Sequence, residues 1–307
     1  MISRDKVRDA LTGPMMSLTT PFLANGDIDF DGVRRIIDFT IDDGRSKAVI
    51  ITVGDSLYTL LSEDEISELT RVVVQHVNGR AMVVASDNFW ATRHTIQFAQ
   101  YARDLGADML MVRPPDWANS CTVDTVVEHY AAVAAEGRIP LMTVTNFLIP
   151  RPPSFSMQVL SRLRDEVDGI YAVKDDMLGE FARRLSLLVH DRWAVFTSGT
   201  KRDVLNAAPY GLDGYMSNFI LFNPEVAHAF FRAVQANDSV AMRMIIRDHD
   251  IPLWEFLADC EGSADAALHG LLELKGLAQR WRRKPYHSLN NEQMDQLSDL
   301  CHTKGWI

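Results

Sequence analysis

A lysine at the end of an apolar run is the residue in this sequence whose chemistry is easiest to name. Lys174 follows residues 170–173, which have the length and composition of a buried β-strand. Burying an ammonium ion is costly, so this position favours the neutral amine, a nucleophile that forms a Schiff base with a ketone. The alternative is an exposed lysine at a strand end, paired with Asp175 or Asp176.

The elements that must position this lysine alternate regularly along the chain. Predicted strands cover residues 15–19, 48–53, 81–85, 109–112, 141–145, 170–173, 194–197 and 214–217. Amphipathic helical segments lie between them, and Ser62 with Glu65 has the pattern of a capping box. Eight strand–helix units predict an α/β fold, a (β/α)8 TIM barrel. A doubly wound sheet fits less well, because the chain has no glycine-rich dinucleotide turn.

The last part of the chain is almost purely helical. Helices are predicted over residues 224–236, 239–248, 252–257, 264–281 and 291–302. This is more helix than a barrel needs, so we predict a barrel over residues 1–222 and a C-terminal helical extension over 223–307, packed as one structural unit. Catalytic groups of such barrels lie at the C-terminal ends of the strands. Lys174 is therefore predicted at the barrel mouth, which favours the Schiff-base role.

Short motifs occur in a fixed order along nearly the whole chain. They are Thr20-Pro21-Phe22 with Asn25-Gly26-Asp27-Ile28-Asp29, Val53-Gly54-Asp55-Ser56 with Leu61-Ser62-Glu63-Asp64-Glu65, Gly106-Ala107-Asp108, Val173-Lys174-Asp175, Gly211-Leu212-Asp213-Gly214 with Met216-Ser217, and Arg283-Lys284-Pro285-Tyr286. In order and spacing they resemble the dihydrodipicolinate synthase and N-acetylneuraminate lyase family of class I aldolases. The resemblance implies an imine between Lys174 and pyruvate or another 2-keto acid, with no further cofactor. It also implies a homo-oligomer, a dimer or a tetramer, with tetramers the commoner form.

The chain departs from the family at the positions that move protons and hold substrate. The strand-five tyrosine is replaced by Thr145, followed by Asn146. The two threonines of the turn that binds the keto-acid carboxylate are Asp55 and Ser56, and Tyr58 follows after a one-residue contraction. The turn that often reads the second substrate is replaced by residues 147–153, in which Arg151 is the candidate for that role.

Asp55 has three interpretations that the sequence leaves open. It could provide general acid–base catalysis with Ser56, Tyr58 or Thr145 completing the relay, cap its own turn, or form an ion pair that keeps Lys174 unreactive. A carboxylate beside the expected keto-acid carboxylate also repels that ligand, by about 1–4 kcal/mol at ~4 Å. This favours a hydroxylated or aminated keto acid, although pyruvate still fits.

Taken together, these residues predict a lyase acting on pyruvate or a sugar-derived 2-keto acid. Retro-aldol cleavage or condensation is favoured over dehydration. The predicted catalytic residues are Lys174, Asp55 and Thr145. The predicted substrate-binding residues are Gly54, Ser56, Tyr58, Asn146, Ser217 and Arg151. The alternative is a keto-acid-binding or regulatory protein on an aldolase scaffold without turnover, because the relay tyrosine is missing.

Composition limits the other classes of function. The 307 residues are 47% hydrophobic and 23% charged, as in ordinary globular proteins. The net charge of −10 argues against nonspecific nucleic-acid binding. Three cysteines and nine histidines have no metal-ligand spacing, and no apolar run reaches membrane-spanning length. We therefore predict a cytoplasmic protein with a small-molecule substrate, no metal, and no nucleic-acid or membrane partner.

Overall fold

Eight parallel strands close into a barrel in the computed structural model, which describes residues 2–198 and 200–307. Each strand pairs with the next one along the chain, and β8 pairs with β1. The strands are β1 (Gly13–Ser17), β2 (Ala48–Ile50), β3 (Met82–Ser86), β4 (Met109–Val112), β5 (Leu141–Val144), β6 (Ile170–Asp175), β7 (Ala194–Thr197) and β8 (Gly214–Met216). The predicted (β/α)8 barrel is confirmed.

Helices surround the barrel and continue beyond it. They are α1 (Arg4–Ala10), α2 (Phe30–Asp42), α3 (Glu63–Val77), α4 (Thr92–Leu105), α5 (Val123–Gly137), α6 (Pro153–Glu166), α7 (Gly179–Val189), α8 (Lys201–Ala207), α9 (Pro224–Gln235), α10 (Ser239–Ile245), α11 (Ile251–Asp259), α12 (Ser263–Leu274) and α13 (Asn291–Thr303). A π-helix over Ile246–Asp250 joins α10 to α11. Among the described residues, none of the helices has the length and apolar character needed to span a membrane.

Apolar side chains from every strand fill the barrel interior, and those closest to the C-terminal strand ends form its uppermost apolar layer. Its members include Met15, Ile50, Val84, Met111, Val144, Ala172, Phe196 and Met216. Val7 of α1 and Leu11, which follows α1, belong to the same cluster. This short helix, which the sequence analysis did not predict, therefore closes the N-terminal end of the barrel. The opposite end, where the strands end, is left for the polar residues that follow the apolar layer.

The C-terminal helices complete the barrel and pack beside it. Helix α9 packs against β1 and the turn after β8, in the position of an eighth outer helix. The predicted division at residue 222 stays a prediction. Arg283 ties the end of the chain back to the barrel, since its guanidinium contacts both carboxylate oxygens of Glu65 at 2.7 and 2.8 Å. The same side chain donates to the carbonyl groups of Gly26 and Leu60.

One predicted helix is shorter than its apolar pattern suggests. The pattern predicts a helix over residues 264–281, but α12 ends at Leu274. Gly276 has a φ of +74°, a left-handed conformation that ends a helix. The chain after Gly276 leaves the helix and returns to the barrel, where Arg283 contacts Gly26, Leu60 and Glu65. Predicted strands agree with the observed ones within two or three residues at either end, and those over 109–112 and 194–197 are the same as β4 and β7.

Closure between β8 and β1 depends on a glycine, and this makes a testable prediction. A Cβ atom at Gly214 would lie 2.2 Å from the backbone oxygen of Leu11 and 2.6 Å from that of Gly13. We expect Gly214→Ala to lower the free energy of unfolding by about 1–3 kcal/mol, because the strands must separate to admit the methyl group. Urea unfolding followed by circular dichroism measures the change.

Gly54→Ala is the matched control, because a Cβ at Gly54 meets no atom within 4 Å. We expect its unfolding free energy to change by less than about 0.5 kcal/mol. Equal losses in the two variants would contradict the steric explanation.

Candidate active site

A ring of polar side chains lies directly above the apolar layer of the barrel. Successive residues of a strand face opposite sides, so the residue two places after an inward one also faces inward. This rule places Ser17 of β1 and Lys174 of β6 at the inner rim of the mouth. Arg113, Asn146 and Ser198 follow the ends of β4, β5 and β7, and Asn146 lies in a 3-10 helix over Thr145–Leu148. The pairing register agrees, because Lys174 lies level with Val144 of β5 and Phe196 of β7. These two neighbours belong to the interior layer.

Lys174 shares a buried carboxylate with a neighbouring serine. Its ammonium group contacts Asp176 Oδ1, and only 8% of Lys174 is exposed. The hydroxyl of Ser198 donates to the same oxygen. A buried ion pair is retained only when its charges are matched and hydrogen-bonded, and here one carboxylate oxygen has two donors. The structure therefore combines burial of the lysine with a pairing to Asp176, which the sequence analysis treated as alternatives.

Thr145 and Asp175 hold the turn that carries this pair. Thr145 Oγ1 donates to Asp175 Oδ1 at 2.9 Å and accepts from the amide of Asp176 at 2.8 Å. Asp175 also accepts from the amides of Met177 and Leu178 at 3.2 and 3.0 Å. Burial raises the pKa of the Asp175 carboxyl, although these hydrogen bonds act against the rise. Thr145, predicted to be catalytic, thus contacts the two aspartates and positions Asp176.

Asp55 lies at the mouth, and its hydrogen-bond partner there is Ser17 rather than Lys174. Its carboxylate accepts a hydrogen bond from Ser17, and its amide donates to Thr52 Oγ1 at 3.2 Å. Asp55 also lies near Asp265 of α12 and contributes to the raised pKa of that carboxyl, after the larger effect of burial. Within the described residues, the counterion of Lys174 is Asp176, so the ion pair between Asp55 and Lys174 is not formed. Its catalytic role stays a prediction.

The polar groups of the loop after β2 form hydrogen bonds within the protein. Ser56 Oγ donates to the carbonyl of Leu18 at 2.6 Å, and the Ser56 amide donates to Thr52 O at 3.2 Å. The Tyr58 side chain is buried, its hydroxyl donates to Ser86 O at 3.3 Å, and burial raises its pKa. Gly54 faces open space at the mouth. The structure brings Gly54 and Asp55 to the mouth, whereas Ser56 and Tyr58 form its wall.

Arg113 is a buried cation held by Asp87. Its amide donates to Asp87 Oδ1 at 3.2 Å, and its guanidinium donates to Asp87 O at 3.4 Å. The guanidinium stacks on the Phe89 ring at 4.3 Å. Burial lowers the pKa of Arg113, while Asp87 and Asp176 oppose this fall. Burial also raises the pKa of the Asp87 carboxyl to about 7 against the effects of Arg113 and Thr95.

Three buried polar atoms near the strand ends have no hydrogen-bond partner among the described residues. They are Arg113 Nε, Asn146 Oδ1 and Ser217 Oγ. Buried polar groups are nearly always satisfied, and exceptions are expected where a ligand binds. Arg113 stacks on Phe89 and Asn146 lines a cavity at the mouth, whereas Ser217 directly follows Met216, whose side chain faces the barrel interior. Of the two residues predicted to bind substrate, Asn146 and Ser217, Asn146 is therefore better placed to contact a ligand at the mouth.

Arg151 has its charge neutralised within the protein. Its guanidinium lies 2.6 Å from Asp116 and donates to Cys121 O at 2.7 Å. It also stacks on the ring of Phe155 at 4.2 Å. A cation engaged in this way on three sides has little capacity left for a substrate carboxylate. The predicted role in reading the second substrate stays untested, and these contacts do not favour it.

The family assignment rests on comparisons with known proteins. Residues 10–304 match the dihydrodipicolinate synthetase family. This chain belongs to that family. A 4-hydroxy-tetrahydrodipicolinate synthase of Psychrobacter arcticus is 31% identical over 250 residues, which cover 80% of each chain. A Streptomyces coelicolor protein named probable 5-dehydro-4-deoxyglucarate dehydratase 2 is 26% identical over 276 residues, 88% of this chain and 83% of its own.

A solved structure gives the same fold. The N-acetylneuraminate lyase of Fusobacterium nucleatum superposes with a TM-score of 0.85 at 17% identity, over 96% of this chain and 99% of that one. At this identity the likeness shows the fold alone. The family match over residues 10–304 confirms the resemblance inferred from the sequence motifs. Members of this group of lyases form Schiff bases.

Asp176 is the site residue to which sequence reasoning assigned no catalytic role. The sequence analysis considered it only as a surface partner of Lys174. A stronger signal was available, because residues two apart on a strand face the same side. If Lys174 faces the mouth, Asp176 must follow it there. Among the described residues, no cluster of three or more His, Cys, Asp or Glu side chains could hold a metal ion.

The raised pKa of Asp87 gives a pH-dependent prediction for stability. The ordinary pKa of an aspartate is 3.8, and the pKa of Asp87 in the folded protein is about 7. Between these two pH values the folded protein therefore holds a proton that the unfolded chain has released. This stabilisation is complete below about pH 4 and is lost as the pH rises through about 7. Asp87→Asn removes the titration and keeps an acceptor for Arg113. We expect the variant to gain stability relative to wild type between about pH 5 and about pH 8.

Urea unfolding of both proteins at the two pH values measures this difference. Thr95→Val serves as the control, because it removes the hydrogen bond to Asp87 Oδ2 but leaves the carboxyl in place. A stability difference between wild type and Asp87→Asn that does not change with pH would contradict the assignment.

Proposed function

We propose that this protein is a lyase that forms an imine between Lys174 and the carbonyl carbon of a 2-keto acid. The observation that carries the proposal is the inward lysine at the barrel mouth, ion-paired with Asp176 inside a site that excludes most water. Membership of a Schiff-base-forming family supports the same chemistry. No cofactor is needed, because the iminium on Lys174 itself accepts the electron pair of the breaking bond.

Asp176 is the proposed proton carrier for imine formation. A proton passes from the Lys174 ammonium to the Asp176 carboxylate, which neutralises both partners of the buried pair. The free amine then attacks the keto carbon, and Asp176 returns the proton to the carbonyl oxygen. Asp176 next removes a proton from nitrogen and delivers it to the hydroxyl group, which leaves as water. The products are an iminium ion, a water molecule and an ionised Asp176, so protons and charge balance.

Cleavage then uses the iminium as an electron sink. The ionised Asp176 removes the proton of the C4 hydroxyl, the C3–C4 bond breaks, and its electron pair moves toward the iminium to form an enamine. An aldehyde leaves, C3 accepts a proton from the protonated Asp176, and hydrolysis of the imine releases the shortened keto acid. Dehydration shares the enamine but expels the hydroxyl instead. We place cleavage or condensation first and dehydration second, as the sequence analysis does.

The guanidinium of Arg113 is a candidate for the keto-acid carboxylate. Its Nε is buried without a partner among the described residues, and Arg113 follows the end of β4 at the mouth. The loop after β2 contributes fewer free donors, because the Ser56 amide and hydroxyl are engaged internally. A sugar-derived substrate chain, pyruvate as the product, a cytoplasmic location and a homotetramer remain predictions. The name of the Streptomyces relative supports a sugar-derived acid.

The first test is reductive trapping of the imine. We expect borohydride added with pyruvate to raise the intact mass of the protein by one reduced adduct, and we expect Lys174→Ala to show no increase. A small panel of larger keto acids extends the test. An unchanged mass with every acid would sink the proposed imine chemistry.

The second test separates proton transfer from imine formation. Deuterium exchange into the methyl group of pyruvate, followed by NMR, requires the enamine, whereas trapping requires only the imine. We expect Asp176→Asn to slow exchange by roughly 10²–10⁴-fold, the usual contribution of a general acid–base group. The matched variant Asp55→Asn should retain most of the exchange.

The reverse result, with exchange lost in Asp55→Asn and kept in Asp176→Asn, would return the proton-transfer role to Asp55. A wild-type protein that forms the trapped imine but shows no exchange would favour the binding or regulatory alternative.

A further inference from the structure

An apolar cavity lies at the mouth of the barrel, lined by residues that follow β3, β4 and β5. The cavity has a volume of about 420 Å³ and opens where β3, β4 and β5 end. We infer that it binds an aromatic ring, or an apolar group of similar size, at the end of the chain of a 2-keto acid whose carbonyl carbon lies at Lys174. This inference rests on the proposed imine chemistry, and it replaces the sugar-derived chain predicted from the sequence with an aromatic or apolar one.

The lining of the cavity is unsuited to a polyhydroxylated chain. Most of its walls are aromatic rings and prolines, namely Phe89, Pro114, Pro115, Trp117, Phe147 and Pro150. Ligand pockets of this kind place a few polar groups among apolar walls and gain most of their affinity from buried apolar surface. The Trp117 side chain is 86% exposed at the rim, and Phe89 is 40% exposed. A ring entering the cavity would cover these faces.

The charges in the wall are already neutralised. Both oxygens of Asp116 are engaged, Oδ1 by the amide of Cys121 at 2.8 Å and Oδ2 by Arg151 at 2.6 Å. Only 3% of the Asp116 side chain and 9% of the Arg151 side chain are exposed. A second carboxylate on the substrate would therefore meet no free cation from this pair. The cavity therefore suits an uncharged tail, meaning the end of the substrate chain that lies farthest from the keto-acid group.

One polar atom gives the tail a point of attachment. Asn146 Oδ1 is buried and has no hydrogen-bond donor among the described residues, and Asn146 lines the cavity. A ligand hydroxyl or amine would satisfy this acceptor, and a site with such an atom discriminates against ligands that leave it unpaired. We therefore expect a single donor on the tail, or a hydroxyl at the carbon that joins the tail to the keto acid.

The size of the cavity agrees with a ring. An apolar cavity of ~150 Å³ already holds benzene in another protein, so about 420 Å³ admits a ring with a substituent or linker. Two relations in the sheet and its loops connect the lining of the cavity to the rim that carries Lys174. Val144 pairs with Lys174 across the sheet, and Asn146 follows shortly after Val144 in the chain. On the other side, Arg113 stacks on Phe89 and belongs to the rim that holds Lys174.

The test compares three acids that share the keto-acid head and differ in the tail. They are 2-oxobutanoate, 2-oxo-3-deoxygluconate and 4-hydroxy-2-oxo-4-phenylbutanoate, whose C4 hydroxyl can donate to Asn146 Oδ1. Binding to the full-length Lys174→Ala variant is measured by calorimetry, because this variant cannot form the imine and reports the cavity alone. We expect the phenyl acid to bind at least roughly tenfold more tightly than the other two, from the apolar surface that the ring buries.

Variants in the rim locate the ring. In the Lys174→Ala background, Trp117→Ala should remove most of the preference and Trp117→Phe should keep it. Leu187→Ala is the control, since Leu187 is an exposed apolar residue on α7 that does not line the cavity. A preference that survives Trp117→Ala would place the ring elsewhere and overturn the assignment.

The remaining outcomes separate this inference from the proposed function. Equal affinity for the three acids, or tighter binding of the sugar acid, would overturn the aromatic class even if wild-type protein traps pyruvate. Failure of imine trapping with a retained phenyl preference would sink the proposed reaction and leave the cavity assignment standing. Equal affinities together with a lower sedimentation coefficient of Trp117→Ala would show that a second copy of the chain covers the cavity, which also overturns the inference.

Discussion

Closure of eight parallel strands into one barrel is the constraint on which the site depends. In a closed sheet every strand has one inward side, and the inward side chains stack in layers from the N-terminal end of the barrel to the mouth. Ala172 lies in the last apolar layer, so the next inward residue of its strand, Lys174, lies at the mouth. The same alternation sends Thr145 and Asp175 outward, where they hold the turn. A single geometric rule thus separates residues that face the ligand from residues that position them.

Burial alone does not make a lysine a nucleophile, and this protein contains a useful contrast. Lys201 is more deeply buried than Lys174, and burial lowers its pKa. Asp250 and the ring of Phe219 enclose it, at 3.3 and 4.2 Å from its Nζ. That pair joins α8 to the π-helix, and only 3% of the Lys201 side chain and 2% of the Asp250 side chain are exposed. Lys174 is distinguished by its place on the open rim and by the unsatisfied polar atoms near it, rather than by burial.

The loss of the family's strand-five tyrosine changes the character of the site. A tyrosine there is replaced by Thr145, which turns away from the mouth and supports the backbone of Asp176. In the proposed mechanism the acidic group is Asp176, which directly follows the strand that carries Lys174. Beside them, the ends of β4 and β5 supply proline and aromatic residues in place of free charges. The proposed imine chemistry and the proposed selectivity for the substrate chain therefore depend on different strands.

The sequence by itself determined the barrel, the family and the position of Lys174, because these depend on local periodicity and on the order of short motifs. It also indicated β4 and β7 to the residue, since their apolar runs are bounded by clear turns. Only the tertiary structure decided the partners. Asp55 accepts a hydrogen bond from Ser17 and lies near Asp265, and Arg151 pairs with Asp116, because barrel closure and the returning C-terminal segment bring together residues far apart in the chain. Lys174 pairs with Asp176 because the sheet fixes which side of its strand each residue faces. Contacts of this kind have no signature in the spacing of residues along one element.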